Sequence, residues 1–320
     1  MSALELPRLS VLVPVYNGAG TLGDCLSSVA EQSEGIEVVL VDQGSTDHSV
    51  SIAQAFASRM DLKIVSAPEN KNWVQNTNLA LGLARAPRAT LLHQDDLWRP
   101  GRAALLQGMF KDVPDAALWL HAADYMDSAN RVIGQHGPPL GARARQVTTG
   151  ELLSCLVVQN TIALPAAAFS VLAAREVGGL DETLWYTADW DFWIALAGRG
   201  KTAWNPQRAV AFRLHPISQT ISGSRNLEDF AAQLEAPLQR HADAFAGDIG
   251  TRVLSMARAS NAVNIWMASA YHGNRRPAWP VLMKVVLLGP RVWLPFLRRT
   301  RIIQRIWPRL RLLRTRVNDG

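Results

Sequence analysis

The stretch Leu9–Leu22, LSVLVPVYNGAGTL, decides the fold. Its apolar first half reads as a strand, its middle as a polar loop, and Thr21 opens a helix in which Leu22, Leu26 and Val29 share one face. Outward from it the same unit recurs. IEVVLVD (36–42), LKIVSAP (62–68), ATLLHQDD (89–96) and AALWLHAADYM (116–126) read as further strands, with helices from about Ser49, Trp73 and Gly101. Short apolar runs alternating with helical segments are the pattern of a parallel α/β sheet. The strand ends carry Asn17, Asp42, Asn70 and Asp95, at the edge where open parallel sheets bind ligands.

Beyond residue 150 the alternation weakens. TGELLSCLVV (149–158) and AAAFSVLAAREV (166–177) read as helices, AVAFRLHP (209–216) as a strand, and residues 226–272 as helices. With 320 residues, 48% of them hydrophobic, the chain is globular and fits one large domain with appendages or two modest ones. Two cysteines, Cys25 and Cys155, are too few for a disulfide framework and suit a reducing compartment. The start MSALELPRLS has neither a basic nor an apolar leader region, so secretion is not expected.

The net charge of +6 is unevenly placed. Residues 275–316 hold twelve Lys or Arg and no acid, so the body is mildly acidic and the basicity belongs to the tail. Nothing else resembles a nucleic-acid module, and no nucleic-acid partner is expected. The tail mixes tryptophans, leucines and arginines, and Lys284 and Arg291 interrupt every candidate span. It reads as a basic amphipathic segment lying on an anionic membrane surface; a homodimer interface is the alternative.

GAGTLG (18–23) matches the dinucleotide G-x-G-x-x-G pattern, with Asp42 about twenty residues on. A nicotinamide-dependent oxidoreductase is therefore one alternative. The strand, however, runs on through VPVYN before the first glycine, where the tight turn should begin.

VLVPVYNGAGTLGDCLSSVAEQ, EVVLVDQGSTDHS, PENKNWVQNTNLAL and LLHQDDLWRP follow one another at βαβ spacing. Together they resemble family 2 glycosyltransferases over roughly residues 8–220. The resemblance implies a GT-A type fold, a mixed and mainly parallel sheet flanked by helices, with a nucleotide-sugar half (8–125) and an acceptor half (126–225). A helical, basic C-terminal region (226–320) follows.

On the donor side it assigns nucleobase and ribose contacts to Pro14, Tyr16, Asn17 and Asp42. Asn76, His93 and Gln94 complete that set. Gln43 stands where the family has a second acid, and Asn72 where it has a glycine; asparagine would preserve a left-handed turn there. Ser45 and Asp47 read as helix caps. The family's Asp-x-Asp maps onto His93, Gln94 and Asp95, and His93 replaces the donor-facing acid. A departing diphosphate needs a hard cation, so Mg²⁺ or Mn²⁺ is expected on Asp95, with Asp96 as second ligand or helix cap and His215 as a further ligand.

An inverting transfer also needs a carboxylate on the acceptor side. ADWDFWIAL (188–196) matches the family's segment for it and makes Asp189 the catalytic base, with Ala188 in place of the usual Glu. Its place at a helix N-terminus suggests an unraised pKa. Arg213 is expected on the diphosphate. Trp185, Trp190 and Asp191 are expected around the acceptor.

The function expected is an inverting, metal-dependent transfer from a UDP- or dTDP-sugar to a saccharide or lipid-linked acceptor in surface-polysaccharide assembly. The expected location is cytoplasmic, peripheral on the inner face of the membrane. A non-catalytic sugar-nucleotide-binding protein is the second alternative, because His93, Gln43 and Ala188 all depart from the pattern.

Overall fold

A computed structural model describes residues 6–214, 223–242, 248–274 and 276–308. Strands β1 (Leu9–Val15), β2 (Ile36–Asp42), β3 (Asp61–Ser66) and β4 (Arg88–Leu91) alternate with helices α1 (Leu22–Ala30), α2 (Ser49–Gln54) and α3 (Trp73–Leu83). The four strands are parallel, with β1 between β2 and β4. Every residue of β1 and β2 is buried, which is why they are unbroken apolar runs rather than alternating ones.

Helix α4 (Arg102–Asp112) leads to β6 (Ala116–Met126), and β10 (Lys201–Arg213) pairs parallel with β6. Between β4 and β6 lies β9 (Ala167–Ser170), antiparallel to both. The short β5 (Leu97–Trp98) lines the outer side of β10, while β7 (Val132–His136) pairs with β6 and β8 (Arg145–Val147) with β10. The order is β3-β2-β1-β4-β9-β6-β10-β5, so the carboxyl ends of β1 to β4, β6 and β10 share one edge.

Three expectations change. Residues 166–177 are not one helix: Ala167–Ser170 form β9, and Ser170 caps α6 (Val171–Glu176) by accepting the amide of Ala173. Pairing on both sides overrides the helix propensity of the alanines. Strand β4 stops at Leu91, leaving His93 to Asp96 in a loop. Strand β10 starts at Lys201, eight residues early, and its polar middle around Pro206 makes the register shifts that hid it.

Pro14 sets the geometry of the crevice. It pairs with Val41 on the β2 side, but the β1–β4 pairing ends earlier, at Leu12–Leu91. Without an N–H, Pro14 cannot extend that ladder, and the two strands part there.

Helices α5 (Thr149–Leu156) and α7 (Ala188–Ala197) pack against each other. Eight of the ten α7 residues are buried. Helices α8 (Leu227–Arg240), α9 (Asp248–Tyr271) and α11 (Pro290–Thr300) join the same apolar core through Phe230, Val253 and Phe296. Helix α10 (Trp279–Val286) precedes α11.

Candidate active site

The first two carboxyl-edge loops are stitched together. Ser45 Oγ accepts the amide of Asn17 at 2.9 Å, Ser49 Oγ that of Gly18 at 2.8 Å and Asp47 Oδ2 that of Ala19 at 3.0 Å. In return Asn17 Oδ1 accepts the amide of Thr46 at 2.9 Å, from a left-handed backbone (φ 46°) that asparagine tolerates. The amides of Gly18 and Ala19 in GAGTLG are thus spent within the protein. A pyrophosphate would have to break these bonds, so the nicotinamide alternative loses its anion cradle. Asp47 also accepts the amide of Ser49, whereas Ser45 serves Asn17 rather than capping α2.

Asp42 lies buried at the end of β2. Its Oδ2 accepts the amides of Gly44 and Ser45, each at 3.0 Å, while Oδ1 is buried without a hydrogen-bond partner. A buried orphan acceptor is costly unless a ligand N–H or O–H meets it. Beside it Tyr16 is 53% exposed, its ring available for stacking. The Gln94 carboxamide fixes that residue by accepting the Tyr16 amide at 2.9 Å and donating to its carbonyl at 3.0 Å. This close approach requires Gly18, where a Cβ would lie 2.5 Å from the carboxamide.

Some donor-side expectations are corrected. Pro14 is buried and shapes the crevice instead of lining it. Asn76 is 1% exposed, donating to Gln43 Oε1 and accepting from Asn70, so it braces the loops. Asn72 is extended (φ −158°) rather than left-handed, and its side chain caps α3 by accepting the Gln75 amide.

The Asp95–Asp96 loop is held from both ends. Arg213, at the end of β10, donates its backbone amide to Asp96 Oδ1, its Nε to the Asp95 carbonyl and an Nη to the Asp127 carbonyl. It is 6% exposed, so it positions the acidic loop and is not open to a diphosphate, which corrects its expected place there. Beyond the loop, buried Arg102 stacks under Trp98 at 4.3 Å and donates to His121 and Thr90.

Helix α4 begins at Arg102 after Gly101, so Asp96 is not its cap. Asp96 Oδ2 is buried without a hydrogen-bond partner. Burial and the adjacent Asp95 charge push Asp96 well above the usual carboxylate range. Half-buried Asp95 with this orphaned oxygen is a hard-oxygen pair that fits a divalent cation. Among the described residues there is no cluster of three or more ligating side chains, so phosphates and water would complete the shell. His215 lies outside the described residues.

The His93 ring meets Trp73 edge-on with centroids 5.1 Å apart, and its Nε2 is buried without a hydrogen-bond partner. Burial holds its pKa below the ordinary value, opposed by Asp95. Trp73 in turn donates its indole N–H to the Trp185 carbonyl at 3.1 Å, tying the acidic loop to the segment that leads into α7.

Asp189 is the second residue of α7 and is half-buried. Its Oδ2 accepts from Asn160 Nδ2 at 2.9 Å, and its Oδ1 accepts the amide of Trp190 at 2.8 Å. Burial pushes its pKa up to about 6, even though both hydrogen bonds favour the charged form. Desolvation therefore outweighs the helix terminus, against expectation.

Trp190 is 1% exposed, with its N–H donated to the Leu156 carbonyl, and Asp191 is 6% exposed and paired with Arg240 and His241. Both are core residues, which corrects their placement around an acceptor. Trp185 is only partly buried, its indole N–H donated to Asp229.

Sequence reading missed Asn160 and Trp73. Asn160 belongs to the polar run Gln159-Asn160-Thr161 set inside an apolar stretch, and that interruption was its available signal. Trp73 carried none beyond its place opening a helix.

Residues 10–162 match the family model described as Glycosyl transferase family 2. An uncharacterized glycosyltransferase of Rickettsia typhi is 21% identical over 230 residues, covering 71% of this chain and 70% of that protein. The succinoglycan biosynthesis protein ExoU of Rhizobium meliloti is 28% identical over 135 residues, 41% of this chain and 40% of ExoU.

Two solved structures share the fold. One is S. aureus TarS 1-349 in complex with UDP-GlcNAc (TM-score 0.59, 15% identity, 82% of this chain and 83% of that one). The other is the mannosyltransferase PcManGT of Pyrobaculum calidifontis in complex with GDP-Man and Mn²⁺ (TM-score 0.54, 17% identity, 94% and 88%). Over residues 10–162 the chain carries the family model of glycosyl transferase family 2, and its glycosyltransferase relatives and GT-A-like fold extend that likeness over most of its length.

Proposed function

We propose that the chain is an inverting glycosyltransferase that moves a sugar from a nucleoside diphosphate to a hydroxyl of a saccharide acceptor, with Asp189 as the base. The acceptor O–H gives its proton to the Asp189 carboxylate while its oxygen bonds the anomeric carbon. The bond from that carbon to the diphosphate breaks on the opposite face, and its electron pair leaves on the phosphate oxygen. The observation that carries this reading is the Asp189 carboxyl itself, oriented by Asn160 and raised by burial to about 6, so it is ionised at neutral pH yet basic enough to accept a proton.

On the donor side, Asp42 Oδ1 would take a nucleobase N–H or ribose hydroxyl, and Tyr16 would stack on the base. Asp95 with Asp96 would hold Mg²⁺ or Mn²⁺, which when bound neutralises charge developing on the diphosphate. A neutral His93 would offer its orphaned nitrogen to a donor hydroxyl. A UDP-type donor is supported by the TarS complex, and a metal by PcManGT with Mn²⁺. Surface-polysaccharide assembly is supported by the likeness to ExoU.

The test is product analysis with UDP-, dTDP- and GDP-sugars, with and without Mn²⁺, on saccharide acceptors, with anomeric configuration read by NMR. A product of retained configuration would overturn the inverting mechanism. Donor binding with neither hydrolysis nor transfer on any acceptor would favour the non-catalytic alternative.

A further inference from the structure

Helices α10 and α11 carry an apolar surface that the core does not use. Helix α10 buries none of its residues. Trp279 (65% exposed), Leu282 (61%), Leu287 (77%) and Leu294 (75%) stand open across α10, the following turn and α11. Soluble proteins rarely leave so many large side chains exposed side by side.

The two helices are joined at a bend of 114° and stapled by Trp293, whose indole N–H donates to the Val285 carbonyl at 3.1 Å. At 8 and 11 residues, neither helix has the ~20 residues needed to cross a bilayer. The open apolar residues are interleaved with Lys284, Arg291 and Arg298, all exposed. From Arg276 to Pro308 there are seven Lys or Arg and no acid.

We infer that the α10–α11 hairpin seats in the headgroup region of an anionic phospholipid bilayer, its leucines and tryptophans entering the acyl boundary and its cations meeting lipid phosphates. Charge selects this occupant over a second copy of the chain. A two-fold contact would bring together two copies of a segment that holds seven cations and no acid, whereas an anionic surface attracts each cation. Long cationic side chains reach the headgroups while their stems lie along apolar surface.

The hairpin is also connected to the site by packing. Phe296 of α11 is 1% exposed and belongs to the same core as Trp190. Helix α11 packs on α5, and α5 on α7, which carries Asp189. Docking would thus fix the base relative to the bilayer plane, where an amphiphilic acceptor is presented. Only that last consequence rests on the transferase reading.

The test is cosedimentation of the full chain, without nucleotide, with vesicles of equal parts phosphatidylglycerol and phosphatidylcholine, and with pure phosphatidylcholine. Binding should fall at least roughly tenfold on pure phosphatidylcholine, and roughly 100-fold on mixed vesicles for the Leu282→Glu/Leu287→Glu/Leu294→Glu variant. Because these side chains are exposed, circular dichroism and nucleotide binding should be unchanged in the variant. As a second measurement that needs no charge reversal, brominated acyl chains should quench tryptophan emission in the wild type, and less so in Trp279→Phe. Absence of vesicle binding or of quenching in the wild type overturns the inference. So does equal binding by the triple variant, or a stable dimer that the variant dissociates while vesicle binding is absent.

Discussion

Asp189→Asn should lower activity and raise stability together. Between its ordinary 3.8 and the buried value of about 6, the folded chain holds a proton that the unfolded chain has released. Native stability therefore falls as pH rises through about 6, and the ionised form costs up to about 3 kcal/mol at pH 8. At pH 5 the same cost is about 1.6 kcal/mol, so the advantage of asparagine should grow by about 1.4 kcal/mol between pH 5 and pH 8. Residual solvation of the half-buried side chain and the altered partner at Asn160 reduce the absolute gain to about 1–2 kcal/mol. Urea unfolding at the two pH values measures it. Transfer should fall by roughly 10²–10⁴-fold with nucleotide affinity preserved, and the wild-type rate should decline below about pH 6 as the base protonates. A variant within threefold of wild-type turnover, or an Asn–Asp stability difference that does not change with pH, would refute the reasoning.

Asn160→Ala removes a hydrogen bond that favours the charged carboxylate, so the acidic limb of the pH–rate profile should move to higher pH with the fold intact. Asp42→Asn leaves an oxygen for the Gly44 and Ser45 amides but no charged acceptor for the ligand. Calorimetry should show nucleotide affinity reduced roughly tenfold or more with little change in melting temperature. Arg213→Ala removes the two side-chain hydrogen bonds to the Asp95 and Asp127 carbonyls, keeps the backbone bond to Asp96, and should cost about 2–4 kcal/mol in unfolding experiments. Its Mn²⁺ affinity, by the positioning argument, should drop roughly 10–100-fold. Gly18→Ala forces the Gln94 carboxamide off the Tyr16 backbone; unfolding should show a loss of about 1–3 kcal/mol and weaker nucleotide binding.

The first two parallel strands were readable because burial on both faces writes itself as continuous runs such as SVLVPV, and each run ends where a polar loop begins. Strand β9 was not readable, because AAAFS has no period of its own and becomes a strand only between β4 and β6. At the site, motif position located the acidic loop and Asp189 but could not tell lining from packing. Helix α7 is apolar nearly all round, so Trp190 and Asp191 looked as available as Asp189. What separates them is tertiary: Leu156 takes the Trp190 N–H, Arg240 pairs with the Asp191 carboxylate, and His241 hydrogen-bonds it. Arg213 likewise reads as a free cation until the carbonyls of Asp95 and Asp127 are seen around it.

The hydrogen bonds that stitch the first two loops have an entropic consequence. Ordering a residue's backbone costs about 1–2 kcal/mol, and loops at a ligand edge commonly meet that cost at the moment of binding. Here the backbones of Asn17, Gly18, Ala19 and Thr46 are already fixed by Ser45, Ser49, Asp47 and Asn17 in the free protein. Roughly 4–8 kcal/mol of ordering is thereby met in folding. A nucleotide arriving between Asp42 and Tyr16 has little backbone left to order, so its affinity can be carried by few contacts.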